Sequence, residues 1–201
     1  MWNELRFDLR GWMDQVEASK AWFTRRVLPL SLEQLRWRPA PRRWSIAECL
    51  DHLNITLGVY LAKIDDAIAL ASCGGEGPTH DEQAEIDALK QVEPPVAVPM
   101  AAPPALIPAP AVDPDNLVDC FHRSRDRYAN TVRRGSGLDL PRIVLVEPVD
   151  PLIHTLGGAL AFLAAHDRRH MWQAEQVRRA SRFPKPYAVR FQGEECSVRE
   201  R

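Results

Sequence analysis

Apolar residues recur along this chain at steps of three and four, the spacing of α-helices that each bury one face. Leu5, Leu9, Trp12, Val16, Ser19, Phe23 and Val27 trace one such stripe and predict a first helix over about residues 3–28, ended by Pro29. Residues 31–35 predict a single short helical turn, and Pro39 and Pro41 an irregular link after it. A second long helix begins sharply at Ser45. Ser45-Ile46-Ala47-Glu48 has the form of a capping box, and Trp44 stands where a hydrophobic staple would. Its stripe of Ile46, Leu50, Leu53, Leu57, Leu61, Ile64 and Ile68 runs to about residue 71, where Gly74, Gly75 and Gly77 follow.

The pattern then loosens. Residues 81–92 predict a short polar helix, and residues 94–114, with eight of the 17 prolines, predict an extended, polyproline-like crossover. A third long helix over about residues 115–134 carries Leu117, Phe121, Ser124, Tyr128 and Thr131 on one face, with Asp113 or Asp115 as its cap and Gly135 at its end. Residues 143–146 are strand-like but too few for a sheet. A fourth helix is expected over residues 151–181, with Asp150 as cap and Pro151 in its first position. Four long helices, with a Pro-rich crossover between the second and third, predict an all-α fold, a four-helix bundle. The expected domain covers residues 1–182, leaving 183–201 as a C-terminal tail.

Composition narrows the partners more than the fold. The 201 residues are 45% hydrophobic, enough for a core, and 26 basic against 27 acidic residues give no net field favouring nucleic acid or an anionic membrane. Arg168, Arg169, Arg178, Arg179 and Arg182 lie largely off the apolar stripe and are expected on a solvated helix face. Cysteines 49, 73, 120 and 196 show no CxxC spacing, which argues against a disulfide framework and a structural zinc finger. The first eight residues lack the apolar run of a secretory signal, and no 18-residue apolar run exists, so the expected location is cytoplasmic.

Candidate chemistry lies in the fourth helix. Leu152, Leu156, Ala159, Leu163, His166, His170, Ala174 and Val177 share one face, so two imidazoles four residues apart point toward the core. Each neutral ring needs partners for a donor and an acceptor, and a divalent metal would satisfy one nitrogen of both at once. A pair of core histidines bonded to carbonyls or hydroxyls is the alternative. In a bundle, a third ligand should come from another helix. His80 falls in a polar loop, His122 about 140° from its helix stripe, and His154 on a different face from His166. His52 lies near the start of the second helix, on the flank of its stripe beside Cys49 and Thr56.

Leu32-Glu33-Gln34-Leu35, Arg38-Pro39-Ala40-Pro41, Trp44-Ser45-Ile46-Ala47-Glu48 and Asp51-His52-Leu53 together resemble the opening of the DinB-like (DinB/YfiT) metalloenzyme superfamily. The run Phe162-Leu163-Ala164-Ala165-His166-Asp167-Arg168-Arg169-His170, followed by Gln173, resembles its closing motif. The resemblance implies a four-helix bundle, commonly a homodimer, with an open mononuclear site made by His52, His166 and His170. Zinc or nickel is the expected ion, and all-nitrogen ligation also admits manganese, iron or cobalt. Relatives include transferases and isomerases that use low-molecular-weight thiols, so the resemblance implies a small-molecule substrate and thiol S-transfer. An open site also suits hydrolysis. The competing reading is a non-enzymatic, stress-associated protein in which the metal is structural.

Assisting residues divide between chemistry and architecture. Glu48, one turn before His52, is a candidate catalytic base, though the capping box already accounts for it. Gln173 could orient His170 or be a plain polar residue. Asp167 occupies the Glu position of an HExxH protease motif without the downstream ligand pattern, so proteolysis is not expected. Cys49 reads as a small buried hydrophobe rather than a fourth ligand, and Trp37 and Trp44 as staples rather than pocket walls.

Overall fold

The computed structural model describes residues 9–71, 82–96, 100–109, 112–145 and 155–185. These residues form six α-helices: α1 (Leu9–Arg26), α2 (Leu32–Arg36), α3 (Ile46–Ala71), α4 (Glu82–Val92), α5 (Pro114–Arg134) and α6 (Leu156–Arg178), with a 3₁₀ turn at Pro104–Leu106. The expected cap and first residue of the fourth helix, Asp150 and Pro151, lie outside the described residues, as do His80 and His154.

The predicted stripes are the packed faces. α3 packs against α5 and α6, α1 packs against the same two helices, and α4 covers α6. Trp12, Val16, Leu57, Leu61, Ile64, Val132, Leu156, Leu160 and Leu163 belong to one apolar cluster. Phe23, Val27, Ile46, Leu50, Leu117, Phe121, Ala174 and Val177 belong to a second. Each long helix therefore passes from one cluster to the other, and between them the chain places polar side chains. Ser19 on α1, His52 on α3, Arg125 on α5 and His166, Asp167 and His170 on α6 are all buried. The candidate site lies in this polar layer.

Capping fixes the ends that matter for the site. The Ser45 hydroxyl accepts from the Glu48 backbone N–H at 3.2 Å, and the Glu48 carboxylate accepts from the Ser45 N–H at 2.9 Å, the reciprocal pair that the sequence form predicts. The fourth long helix starts later than its sequence suggests. Thr155 is the cap of α6, in an extended conformation, and its hydroxyl accepts from the Gly158 N–H. Thr155 is also tied to the strand-like run, since it bridges Val144 in antiparallel fashion and Leu156 N–H donates to the Ile143 carbonyl at 2.8 Å.

The short polar helix α4 orders this end of α6. Fully buried Glu85 accepts from the Thr155 N–H at 2.7 Å and the Thr155 hydroxyl at 3.2 Å, placing a carboxylate at a helix N-terminus. Gly158 leaves it room: a Cβ there would stand 2.6 Å from Glu85 Oε1. Gly158→Ala should therefore push Glu85 off its bonds and lower stability by about 1–3 kcal/mol, read as a fall in the urea midpoint. An unchanged midpoint would mean that Glu85 swings away at no cost.

Docking of α4 also overturns the solvated arginine face. Arg168 pairs with Glu93 just past α4, and Arg169 is buried with its Nη1 donating to the Gln91 carbonyl at 3.2 Å. Arg179 and Arg182 alone of that group are exposed. No helix among the described residues is long and apolar enough to cross a membrane.

Candidate metal centre

Three histidines from two helices meet in the polar layer. His52 enters from α3, and His166 and His170, one turn apart, from α6. They are 3%, 8% and 5% exposed, so water cannot satisfy their ring nitrogens freely. His52 was expected on the flank of its helix. α3 packs against two long helices at once, so Glu48, Cys49, His52 and Thr56 are buried along with the stripe.

The three rings are tilted or edge-on to one another rather than stacked. Nε2 of His166 lies 3.1 Å from Nε2 of His52 and 3.1 Å from Nε2 of His170. Ring centroids are 4.5–4.9 Å apart, with interplanar angles of 56–64°. His52 Nδ1 is 2.6 Å from the Leu106 carbonyl. A carbonyl only accepts, so Nδ1 carries the proton and the Nε2 lone pair of neutral His52 faces the other two rings. One hydrogen on His166 Nε2 could serve one neighbour, not both.

These residues fit a metal ion. Candidate ligand atoms of all three lie within 4.8 Å of one another, so the group could hold one ion. Two nitrogens bound to a tetrahedral ion at about 2.0–2.1 Å stand roughly 3.3 Å apart, close to the observed spacing. The carbonyl on His52 Nδ1 is the kind of outer partner that orients a ligating imidazole. His170 Nδ1 is buried with no hydrogen-bond partner.

Electrostatics keep the lone pairs free. Burial, then the neighbouring histidines and the charges of Arg169 and Arg125, hold His166 well below its ordinary pKa. Burial, His52 and Arg169 do the same to His170; the Gln173 side chain opposes them, although Nδ1 of His170 finds no partner at bonding geometry. His52 is lowered by burial against the pull of the Leu106 bond. Neutral imidazoles are the form that binds a cation.

Aromatic rings line the site. Phe162 stacks 5.2 Å from His166, and Trp44 lies 4.8 Å from the His52 ring and 5.8 Å from His170. Trp44 thus walls the centre, where sequence favoured a staple; Trp37 instead meets Phe183 edge-on. His122 packs against Phe23 and Phe121, apart from the cluster.

The other candidates are committed elsewhere. The Glu48 carboxylate serves the capping box and forms a two-point ion pair with Arg38. Burial disfavours its charge, but Arg38 and Ser45 outweigh that and hold its pKa below the usual range. Burial pushes the Cys49 thiol far up, in keeping with a buried hydrophobe. Asp167 is turned from the histidines, binding Arg125 of α5 and the Ser19 hydroxyl of α1. Arg125 was missed in the sequence because a charged residue beside an apolar stripe reads as solvated.

A sequence profile of the DinB superfamily matches residues 15–174, which include all three histidines. No curated protein and no solved structure matches the chain significantly.

Proposed function

Since the chain belongs to the DinB superfamily, we propose that His52, His166 and His170 hold one divalent metal ion in an open site that acts on a small molecule, by S-transfer from a low-molecular-weight thiol or by hydrolysis. The supporting observation is the facing of three buried Nε2 atoms, those of His52 and His170 each 3.1 Å from that of His166. The four long helices α1, α3, α5 and α6 make the bundle of this reading, with residues 94–114 as its crossover. When bound, the ion supplies Lewis acidity, drawing the pKa of a water or thiol toward neutrality. Three nitrogens and no carboxylate suit zinc or nickel, with manganese, iron and cobalt compatible.

The chain's own residues do the rest. Leu106 fixes the tautomer of His52, while Trp44 and Phe162 exclude water from the imidazole faces. Glu48 anchors the start of α3 one turn before His52 and is a positioning group rather than the base considered for it.

Elemental mass spectrometry of untagged protein tests the reading. Wild type should carry close to one metal per chain, and His52→Ala and His166→Ala should each lose it. Wild type that holds no metal and takes up neither zinc nor nickel would overturn the proposal.

A further inference from the structure

Residues 100–109 touch both helices that carry the histidines. The Met100 thioether lies 3.9 Å from Nη1 of Arg169 on α6. The 3₁₀ turn at Pro104–Leu106 packs against α3, and Leu106 is 4% exposed. Two consecutive residues of α3 grip this segment. His52 Nδ1–H donates to the Leu106 carbonyl at 2.6 Å, and the Asp51 carboxylate accepts from the Ala109 N–H at 3.0 Å.

The two bonds are mechanically linked. Pro108 stands between them with a fixed φ, and it restricts the backbone of Ile107 before it. The stretch from Leu106 to Ala109 is therefore stiff, so what holds the Ala109 amide also aims the Leu106 carbonyl. Ile107 is 55% exposed and anchors the stretch little through apolar burial. The carbonyl matters because the two nitrogens of an imidazole share one π-system. A cation on Nε2 makes Nδ1–H a stronger donor, and a carbonyl on Nδ1 makes Nε2 a better ligand.

We propose that Asp51 is a positioning residue for the metal centre: by holding the Ala109 amide it seats the Leu106 carbonyl on His52, so that metal binding and docking of residues 100–109 reinforce each other. This rests on the metal-site reading above and adds to it a tie between the centre and a distant part of the chain. Such coupling is reciprocal, so each event must favour the other by the same factor.

The test uses full-length protein with zinc or nickel, whichever it takes up, as the probe. Metal affinity is read by competition with a chromophoric chelator, and docking by hydrogen exchange of the Ala109 amide. Asp51→Ala should weaken metal binding about 10-fold, the lower end for loss of an outer partner to a ligating histidine. Metal should slow Ala109 exchange in wild type by about that factor, and much less in Asp51→Ala. Asp51→Asn controls for charge, because its side-chain carbonyl still accepts from the Ala109 N–H while the negative charge beside His52 is gone. It should bind metal nearly as wild type does. Wild type that takes up neither zinc nor nickel sinks the metal-site reading itself. Metal-binding wild type with unchanged Ala109 exchange, Asp51→Ala with wild-type affinity, or Asp51→Asn as weak as Asp51→Ala overturns the role of Asp51 alone.

Discussion

Asp167→Ala should lower folding stability by about 3–5 kcal/mol, the usual cost of stranding one partner of a buried ion pair. Arg125 is wholly buried, its guanidinium 3.8 Å from the centre of the Phe121 ring. Nη1 is served by Asn54 Oδ1 at 2.9 Å and Ser124 Oγ at 3.0 Å, whereas Nη2 depends on Asp167 and Nε has no partner. Burial already draws the Arg125 pKa down, with Asp167 resisting. Without Asp167 that cation stays in the interior uncompensated, while Ser19 loses less because its hydroxyl can donate to the Gln15 carbonyl at 2.8 Å. Urea unfolding reads the effect. Replacing both partners, as Asp167→Ala with Arg125→Met, should recover much of the loss because no charge is left buried. A single variant within about 0.5 kcal/mol of wild type, the range of ordinary surface changes, would show that water reaches Arg125. Folded Asp167→Ala should still bind metal, since the carboxylate faces away from the imidazoles.

Local signals in the chain were read correctly where one helix suffices to explain them. The period of three and four, the capping box at Ser45 and the breaks at Pro29 and Gly135 are consequences of backbone geometry within a few residues. Imidazoles on an apolar face needed partners, and the turn from His166 to His170 put two on one side. The polar layer was half visible: Ser19 and Ser124 interrupt their stripes, at the level where the two apolar clusters divide. What escaped was pairing between helices. Neither Arg125 nor Asp167 points to the other in sequence, and they are buried together because α1, α5 and α6 bring Ser19, Arg125 and Asp167 into contact.

The same limit explains α6. A helix bordered by one neighbour shows a stripe, but α6 contacts α1, α3 and α4 and is buried nearly all round from Leu156 to His170. Its Gly-Gly-Ala start, poor as a helix former, is suited to that crowding. The role of Thr155 as cap depends on Glu85, some seventy residues earlier, which no local rule connects to it. Trp44 follows suit: its staple position is local, while its place against His52 and His170 depends on α3 and α6 meeting.

Metal-free protein should lose stability as pH falls from 7.5 to 5.5. The folded pKa values of His52, His166 and His170 are all below the ordinary 6.5, the latter two well below it. In that window the unfolded chain takes up protons that the fold refuses, so stability declines with falling pH and is fully present only above about 6.5. The ceiling is about 1.4 kcal/mol per histidine by pH 5.5. His166 and His170 should approach it and His52 should contribute less. Glu48 does not confuse the result, because a carboxylate with a lowered pKa contributes above its unfolded value of 4.5 and loses that contribution only at lower pH. Chelator-treated protein unfolded in urea at both pH values gives the measurement, and His166→Gln with His170→Gln should flatten the slope. Zinc added back should raise the midpoint more at pH 7.5 than at 5.5, since protons compete for the same nitrogens. A midpoint that holds steady in the metal-free protein would mean that the three imidazoles accept protons inside the fold, and so lack the free lone pairs on which the metal site depends.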